Sequence, residues 1–427
     1  MPSADHTLRR PSGLAAAATA AAVSAASTIP QLTSTVWEVG GLPTEVLELP
    51  ASGPARVQLL IIPGNPGAAP YYTPFMHSLH RRLGGQAGVV CVSNLGMDGS
   101  GLTPKGRVFS LEEQISHKVD LLRERFVGPG RPPVVVLAHS IGTYMSIHAV
   151  HRLENHHLYS SQAATAAVDS VARQHWEHPD EPPAAAAGPA AAAAGPGAPA
   201  TAAQESAGWD DREDAAMQSM QEELVDARRK QQGQAGVPPS SGTASGSAEH
   251  TGSGRGGSSS YEVDPDCSHQ RRLSQLTRHH KLLSRLAGGV GALPFGLRRA
   301  LVRLVVPQLE PHAVDTTVKV FTSATSAENG LYMGLTEFET LAAPADWWLI
   351  EDLGPRFAIF VAPGDTWFKK WKWDLLHREV PGVESHWVDT QTHAFCVSEA
   401  QSDELAERIV QIVHAALQAP AHAVSRL

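Results

Sequence analysis

Short apolar runs alternate with amphipathic segments along most of the chain. Continuous apolar runs at Val57–Ile62, Val89–Ser93 and Val134–Ala138 predict strands that are covered on both faces of a sheet. Apolar residues at helical spacing predict helices near Tyr72–Leu83 and Leu111–Arg125. Strands that alternate with helices imply crossover connections, so the pattern predicts an α/β fold with a mostly parallel central sheet flanked by helices.

The pattern changes at both ends of this alternating region. Alternating apolar and polar residues on either side of a Gly-Gly turn predict a hairpin over Ser34–Leu49. Near the C-terminus, Phe357–Ala362 and Val383–Trp387 predict two more strands. Apolar residues on one side of Ser402–Leu417 predict a terminal amphipathic helix.

A long segment in the middle of the chain has a different composition. Residues 163–270 are dominated by Ala, Gly, Pro and Ser, which cannot bury enough apolar surface to offset the entropy lost on ordering, so they predict a disordered insertion. This insertion would separate an N-terminal half of the core at 34–162 from a helical cap at 271–345 and a C-terminal half at 346–418. We therefore expect one enlarged domain, although the length also allows two.

Both termini carry features of targeting signals. The tail at 1–33 is alanine-rich and poor in acids, with Arg9 and Arg10 near its start, so it reads either as a plastid or mitochondrial transit peptide or as a disordered tail. The tail at 419–427 ends in Ser425-Arg426-Leu427, a close variant of the S-K-L peroxisomal signal. No apolar run is long enough to predict a spanning helix.

Composition excludes several classes of protein. The 34 basic residues against 43 acidic ones give a formal charge of −9 without a dominant basic patch, which argues against nucleic acid as a partner. The sequence predicts no metal and no cofactor, because no cysteine or histidine group has ligand spacing. The cysteines lie far apart, at Cys91, Cys267 and Cys396. Three histidines of one helix-like stretch are expected to be solvated: His151, His156 and His157.

The strongest chemical signal follows the third apolar run. Ser140 lies in a small-His-Ser-Ile-Gly turn between a predicted strand and a predicted helix, where the helix dipole and free N–H groups stabilise a nucleophile and the oxyanion it creates. Gly142 fits the G-x-S-x-G pattern of a nucleophile elbow, and Ala138 replaces its first glycine. The alternative is a serine that only caps the helix.

The acid and the base of a serine hydrolase follow the nucleophile in the order Ser, Asp/Glu, His. Asp365 follows the strand predicted after the cap, and His393 follows the next strand, so the predicted catalytic residues are Ser140, Asp365 and His393. Asp374 and Asp389 are the alternative acids. Taken singly, Asp365 also fits a turn cap and His393 a surface loop residue.

An oxyanion hole needs two backbone N–H groups directed at the developing charge. Ile141, directly after the predicted nucleophile, would supply one of them. Asn65, in the Pro63–Gly67 loop after the first apolar strand, would supply the other. This loop also fits an ordinary tight turn.

These blocks together resemble the lipid droplet-associated serine hydrolases. The resemblance implies an α/β-hydrolase fold, association with lipid droplets and a role in neutral-lipid or sterol-ester turnover. The predicted triad matches the triad positions of the family, whereas we expect Gln114, His117 and Lys118 to serve helix packing. Ala138 is a departure from the family pattern. The resemblance is carried by Ile61–Gly67, Tyr71-Tyr72, Phe75, Leu111–Lys118, His139–Tyr144, Gly364–Trp367 and His393–Phe395.

An amphipathic stretch at 281–307 leaves two alternatives open. Its apolar residues alternate with five cations, an arrangement that can lie in a lipid monolayer. Alternatively, the stretch packs onto the core as an ordinary cap helix. The cations are Lys281, Arg285, Arg298, Arg299 and Arg303.

The sequence thus predicts a serine ester hydrolase that acts on neutral lipid or sterol esters at the lipid droplet surface, through an acyl-enzyme intermediate. Two alternatives remain. One is a non-catalytic or weakly catalytic droplet-surface or tethering protein, which the insertion suggests. The other is a peroxisomal acyl-ester or thioesterase-type hydrolase, which the C-terminal tripeptide suggests.

Overall fold

The computed structural model describes residues 30–99, 101–155, 268–342 and 345–418. Most of the predicted disordered insertion and both predicted targeting signals lie outside the described residues. The predicted end of the insertion at 270 is wrong, because a helix begins at Ser268.

A five-stranded sheet contains the predicted hairpin and the three apolar strands. Strand β1 (Thr33–Val39) pairs antiparallel with β2 (Leu42–Leu49), which pairs antiparallel with β4 (Ala87–Val92). Strand β3 (Val57–Ile62) lies between β4 and β5 (Val134–Ala138) and is parallel to both. The order β1-β2-β4-β3-β5 means that the chain crosses over the sheet between parallel strands.

Two short strands near the C-terminus form a second, parallel sheet. Strand β6 covers Ala358–Val361 and β7 covers Glu384–Trp387, each slightly shorter than predicted. The parallel pairs of both sheets confirm the predicted α/β class, with the hairpin as an antiparallel extension at one edge.

Eleven α-helices accompany these strands in the part of the chain that the structure describes. None of the described helices is long and apolar enough to cross a membrane. The helices are α1 (Thr73–Arg82), α2 (Leu111–Leu121), α3 (Ile141–Glu154), α4 (Ser268–Thr277), α5 (His280–Gly291), α6 (Phe295–Val305), α7 (Pro311–Phe321), α8 (Ala324–Thr340), α9 (Trp347–Leu353), α10 (Lys370–Glu379) and α11 (Glu399–Gln418).

Strand β3 shows how the apolar pattern builds the core. Its side chains point alternately to the two faces of the sheet. Leu59 and Ile61 join a cluster with residues of α1 and α11, whereas Leu60 and Ile62 join a cluster with residues of α2 and α3. Both faces of the strand are therefore covered by helices, as its continuous apolar run predicts.

Helix α2 begins where the sequence predicts and ends earlier. Ser110 accepts a hydrogen bond from the Glu113 N–H, and the Glu113 side chain accepts from the Ser110 N–H, which forms a capping box. The helix ends at Leu121 rather than Arg125, because a π-helical turn follows at Leu122–Phe126.

The amphipathic stretch at 281–307 forms two helices, α5 and α6, instead of one. No residue of α6 is buried, and Leu304 and Val305 each expose 78% of their surface. Leu282 and Leu286 of α5 expose 60% and 61%. These four apolar side chains are therefore not packed onto the core. The opposite side of α5 does pack as the cap-helix alternative expects, because a Cβ on Gly288 would lie 3.0 Å from Ala324 Cβ and one on Gly291 would lie 2.1 Å from the Thr322 carbonyl oxygen.

The expectation of solvated histidines is also wrong for His151. This residue is buried, its ring packs edge-on against Trp348, and its Nδ1 lies 3.8 Å from a carboxylate oxygen of Asp352. Helix α9, which carries both partners, covers this side of α3. His156 and His157 lie outside the described residues.

Candidate active site

The turn between β5 and α3 holds Ser140 in a strained backbone conformation. Its φ of 55° and ψ of −129° lie in a region that residues other than glycine rarely occupy, and it is the one such non-glycine residue among those described. A Cβ added to Gly142 would lie 2.4 Å from the carbonyl oxygen of Pro63. A Cβ on Gly64 would lie 2.9 Å from Ser140 Cβ. The turn therefore needs glycine at both Gly64 and Gly142, where a side chain would collide with the backbone or with Ser140.

The three predicted catalytic side chains lie in contact with one another. His393 Nε2 lies 3.0 Å from Ser140 Oγ, and His393 Nδ1 lies 2.8 Å from Asp365 Oδ2. Asp365 follows β6 and His393 follows β7, so both side chains stand at the carboxyl ends of parallel strands. The His393 side chain is 29% exposed and that of Asp365 is 8% exposed. Solvent can therefore reach the imidazole, while the carboxylate is enclosed.

The environment of Asp365 favours its ionised form. Burial alone would raise the pKa of this carboxyl. The hydrogen bond and charge of His393, together with the N–H groups of Trp367 and Phe368, outweigh burial and lower the pKa of Asp365 below its usual value. In this position an ionised Asp365 could hold the orientation of His393 and stabilise an imidazolium form of it.

The two alternative acids lie elsewhere. Asp374 forms an ion pair with Lys370 on the exposed side of α10. Asp389 accepts a hydrogen bond of 3.0 Å from the Trp387 indole. Among the described residues, the carboxylate that contacts His393 Nδ1 is that of Asp365.

The two predicted oxyanion residues flank Ser140. Ile141 is the first residue of α3, at the end of the helix where N–H groups have no partner within the helix. Asn65 follows Gly64, the position at which an added Cβ would lie 2.9 Å from Ser140 Cβ. Loop and helix thus both bring main-chain groups close to the serine.

The side chain of Asn65 is held by α8. Its Nδ2 donates a hydrogen bond of 2.9 Å to the carbonyl oxygen of Gly330. A Cβ on Gly334 would lie 3.3 Å from the same Nδ2 atom. Burial raises the pKa of the Glu337 carboxyl to about 7, although a hydrogen bond from Asn65 acts in the opposite direction. No local pattern indicated these contacts, since they join segments more than 260 residues apart.

Sequence reasoning also missed two residues next to the triad, the buried Tyr72 and the half-buried His139. Tyr72 Oη lies 2.7 Å from His139 Nδ1 and accepts a hydrogen bond of 3.1 Å from the Gly64 N–H. His139 Nε2 lies 2.8 Å from the carbonyl oxygen of His393. The one available signal was the position of His139, directly before the serine.

A group with metal-ligand chemistry lies away from the triad. Glu310, His312 and Glu399 each place one ligand atom within 4.8 Å of the others. Glu310 Oε2 accepts the Glu399 N–H at the start of α11, and His312 Nε2 donates to the carbonyl oxygen of Cys396. Both contacts join the beginning of α7 to the segment at the beginning of α11, so Glu310 and His312 have a structural role here.

Comparisons with known proteins agree with this architecture. A family model described as lipid-droplet associated hydrolase matches residues 55–173 and 265–396, which together are more than half of the chain. The lipid droplet-associated hydrolase of Rattus norvegicus is 30% identical over 110 residues, or 22% of this chain and 32% of that protein. The protein of the same name from Dictyostelium discoideum is 28% identical over 115 residues, or 26% of this chain and 37% of that protein. The chain thus spans about a third of the length of these curated relatives.

Solved structures of hydrolases also align with the chain. E-2-(acetamidomethylene)succinate hydrolase is 11% identical, with a TM-score of 0.45, and covers 90% of this chain and 100% of its own. A bacterial membrane phospholipase A is 11% identical, with a TM-score of 0.46, and covers 96% of this chain and 94% of its own. Given the extent of the family match, the chain belongs to the lipid droplet-associated hydrolase family and has the α/β-hydrolase fold that its strand order and nucleophile turn indicate.

Proposed function

We propose that this protein is a serine hydrolase that cleaves lipid esters at the surface of lipid droplets. The observation that carries the proposal is the contact chain from Ser140 Oγ through His393 to the Asp365 carboxylate, on a strained turn at a helix N-terminus. A serine hydroxyl becomes a nucleophile at neutral pH when an oriented imidazole accepts its proton.

The geometry supports acyl transfer in two steps. Ser140 Oγ attacks the ester carbonyl carbon while His393 Nε2 accepts the hydroxyl proton, and the Asn65 and Ile141 N–H groups bind the oxyanion. The C–O bond then breaks, and His393 donates its proton to the departing alcohol. Water, activated by His393, attacks the acyl-enzyme and releases the carboxylic acid and Ser140. Asp365 remains ionised and stabilises the imidazolium in both steps.

A fatty-acid release assay tests the reaction and its substrate class. We expect the purified protein to release fatty acid from emulsified sterol esters or triacylglycerol several-fold faster than from a water-soluble short-chain ester at equal ester concentration. Treatment with an organophosphate before the assay supplies the blank. Equal rates on both substrates would contradict the lipid assignment, and no release from either would contradict the hydrolase.

The exposed apolar face of α5 and α6 supports the lipid surface as the site of action. We name this the α5–α6 face; it comprises Leu282, Leu286, Val290, Phe295, Leu297, Leu301, Leu304 and Val305. The segment from His280 to Val305 contains five cations and no acidic residue. Apolar side chains flanked by cations match a monolayer of acyl chains beneath phosphate head groups. The family name of the relatives points to the same surface.

We expect a double variant, in which serine replaces both Leu282 and Leu304, to bind artificial droplets about tenfold or more weakly than the wild type. Full burial of one leucine side chain contributes about 1.5–3 kcal/mol, so partial insertion of two is sufficient for this change. Droplet flotation measures the bound fraction. Val36→Ser is the matched control, because Val36 is 55% exposed on β1 and outside this face.

Equal binding of the double variant and the wild type would rule out docking through the α5–α6 face. Charge reversal of Lys281, Arg285 and Arg303 separates the electrostatic contribution to droplet binding from the apolar one. It should weaken binding to droplets coated with anionic phospholipid, and leave binding to droplets with a zwitterionic coat nearly unchanged.

A further inference from the structure

A partly buried series of hydrogen bonds joins three parts of the site that the triad alone does not connect. We propose that Tyr72 and His139 are positioning residues, whose chain of hydrogen bonds from Gly64 to the main chain of His393 holds the oxyanion loop and the base in one fixed arrangement. The kinetic part of this proposal rests on the proposed esterase function. The hydrogen-bond order can be tested without it.

The carbonyl end of these hydrogen bonds sets their direction. The carbonyl oxygen of His393 can only accept, and it lies 2.8 Å from His139 Nε2, so Nε2 carries the proton of the neutral imidazole. His139 Nδ1 is therefore an acceptor, and the Tyr72 hydroxyl at 2.7 Å donates its proton to it. The Tyr72 oxygen in turn accepts the Gly64 N–H at 3.1 Å.

The surroundings of the chain keep His139 neutral. Tyr72 is 2% exposed, and the rings of Tyr72 and His139 both pack edge-on against Phe395. Burial, with a further contribution from His393, lowers the pKa of His139 to about 3. Hydrogen bonds to a buried hydroxyl such as that of Tyr72 are strong, and leaving such a group unpaired is costly.

The hydrogen bonds of Tyr72 and His139 hold two parts of the main chain that Asp365 does not contact. Asp365 orients the imidazole of His393, whereas His139 holds the main chain of the same residue. At the other end, Tyr72 holds Gly64, the residue before Asn65. Because displacements of about 1 Å in a catalytic group can slow a reaction about a hundredfold, support at these points bears directly on the rate.

The neighbouring tyrosine provides a matched control. Tyr71 is also buried, and its hydroxyl bonds to Thr317 on α7 at 2.8 Å, outside the chain. We expect Tyr72→Phe to lower kcat about tenfold with KM nearly unchanged, and Tyr71→Phe to keep kcat within about twofold of wild type. Thermal unfolding of both variants corrects for general loss of stability. Equal kcat values for the two variants would overturn the positioning role.

Nuclear magnetic resonance of the histidine rings tests the proton order independently of turnover. In wild type and Tyr71→Phe, the His139 ring should stay neutral from pH 5 to 8, with a slowly exchanging proton on Nε2. His139→Gln identifies the signals by their loss. In Tyr72→Phe, the Nδ1 signal should shift. A His139 ring that titrates near pH 6.5, or carries its proton on Nδ1, would refute the proposed order of hydrogen bonds, even if the enzyme is active. A wild-type protein with no turnover would refute the proposed function instead.

Discussion

Replacing Ser140 with alanine should abolish covalent labelling of the protein by a fluorophosphonate probe. The probe reacts with an activated serine oxygen, and Ser140 Oγ is the serine oxygen that contacts His393 Nε2. Loss of a triad nucleophile lowers kcat by about 10⁴- to 10⁶-fold in serine hydrolases, so fatty-acid release should fall to the blank. Labelling is measured on purified protein, with and without lipid emulsion. Stimulation by emulsion is the expected result for a site that works at a lipid surface.

Ser146→Ala is the matched control for this experiment. Ser146 is a buried serine on the same helix, α3, and its substitution should leave labelling unchanged. Labelling that persists in Ser140→Ala would show that another residue is the nucleophile. If wild type itself is not labelled in either condition, the alternative of a non-catalytic droplet-surface protein takes precedence. Rescue of lipid storage by Ser140→Ala would then be the decisive test.

Replacing Lys118 with methionine should stabilise the protein by about 2 kcal/mol at pH 7. Lys118 is 1% exposed, and burial lowers the pKa of its amine to about 7. Since one pH unit corresponds to about 1.4 kcal/mol, holding this lysine neutral at pH 7 costs a few kcal/mol. Methionine removes that cost. It also leaves His117 Nδ1, which lies 3.2 Å from Lys118 Nζ, without its donor, at a cost of about 1–3 kcal/mol.

The pH dependence gives this prediction a definite sign. Between about pH 7 and pH 10.5 the unfolded chain binds a proton on Lys118 that the folded protein does not bind. The free energy of unfolding of wild type therefore rises with pH in this window relative to that of Lys118→Met. Denaturant unfolding at pH 7 and pH 9.5 measures the difference. It should fall by about 3 kcal/mol between the two pH values, so that Lys118→Met is the less stable protein at the higher pH. Lys105→Met, at an exposed position, should show no such change. A constant difference would mean that Lys118 is charged in the folded protein.

The class of fold and the family could be predicted because local patterns determine them. Strand β3 has the predicted bounds, Val57–Ile62, since a strand covered on both faces is mostly apolar, and Gln58 is its one polar residue. The order of serine, aspartate and histidine behind successive strands indicated where the site would form. The catalytic roles of Ser140, Asp365 and His393 remain predictions until labelling is measured.

Contacts between distant segments could not be predicted in the same way. Tyr72 and His139 are 67 residues apart, and nothing in either local pattern shows that they meet. The burial of Lys118 had a weak signal, because Leu111, Ile115 and Lys118 share helical spacing on one side of α2. For the α5–α6 face, the sequence pattern correctly predicted apolar residues on one side of a helical stretch. Whether such a face is covered depends on the packing of the whole fold, which the local pattern does not contain.

The series of hydrogen bonds from Gly64 to His393 has a consequence for the movement of protons in the proposed reaction. It begins at an amide donor and ends at a carbonyl acceptor, and neither group ionises at ordinary pH. A proton on the His393 imidazole thus has no internal exit along Tyr72 and His139. These hydrogen bonds do not conduct protons away from the base. In the proposed mechanism, the proton taken from Ser140 therefore stays on the His393 imidazole until the leaving alcohol, or solvent at the exposed edge of the ring, removes it.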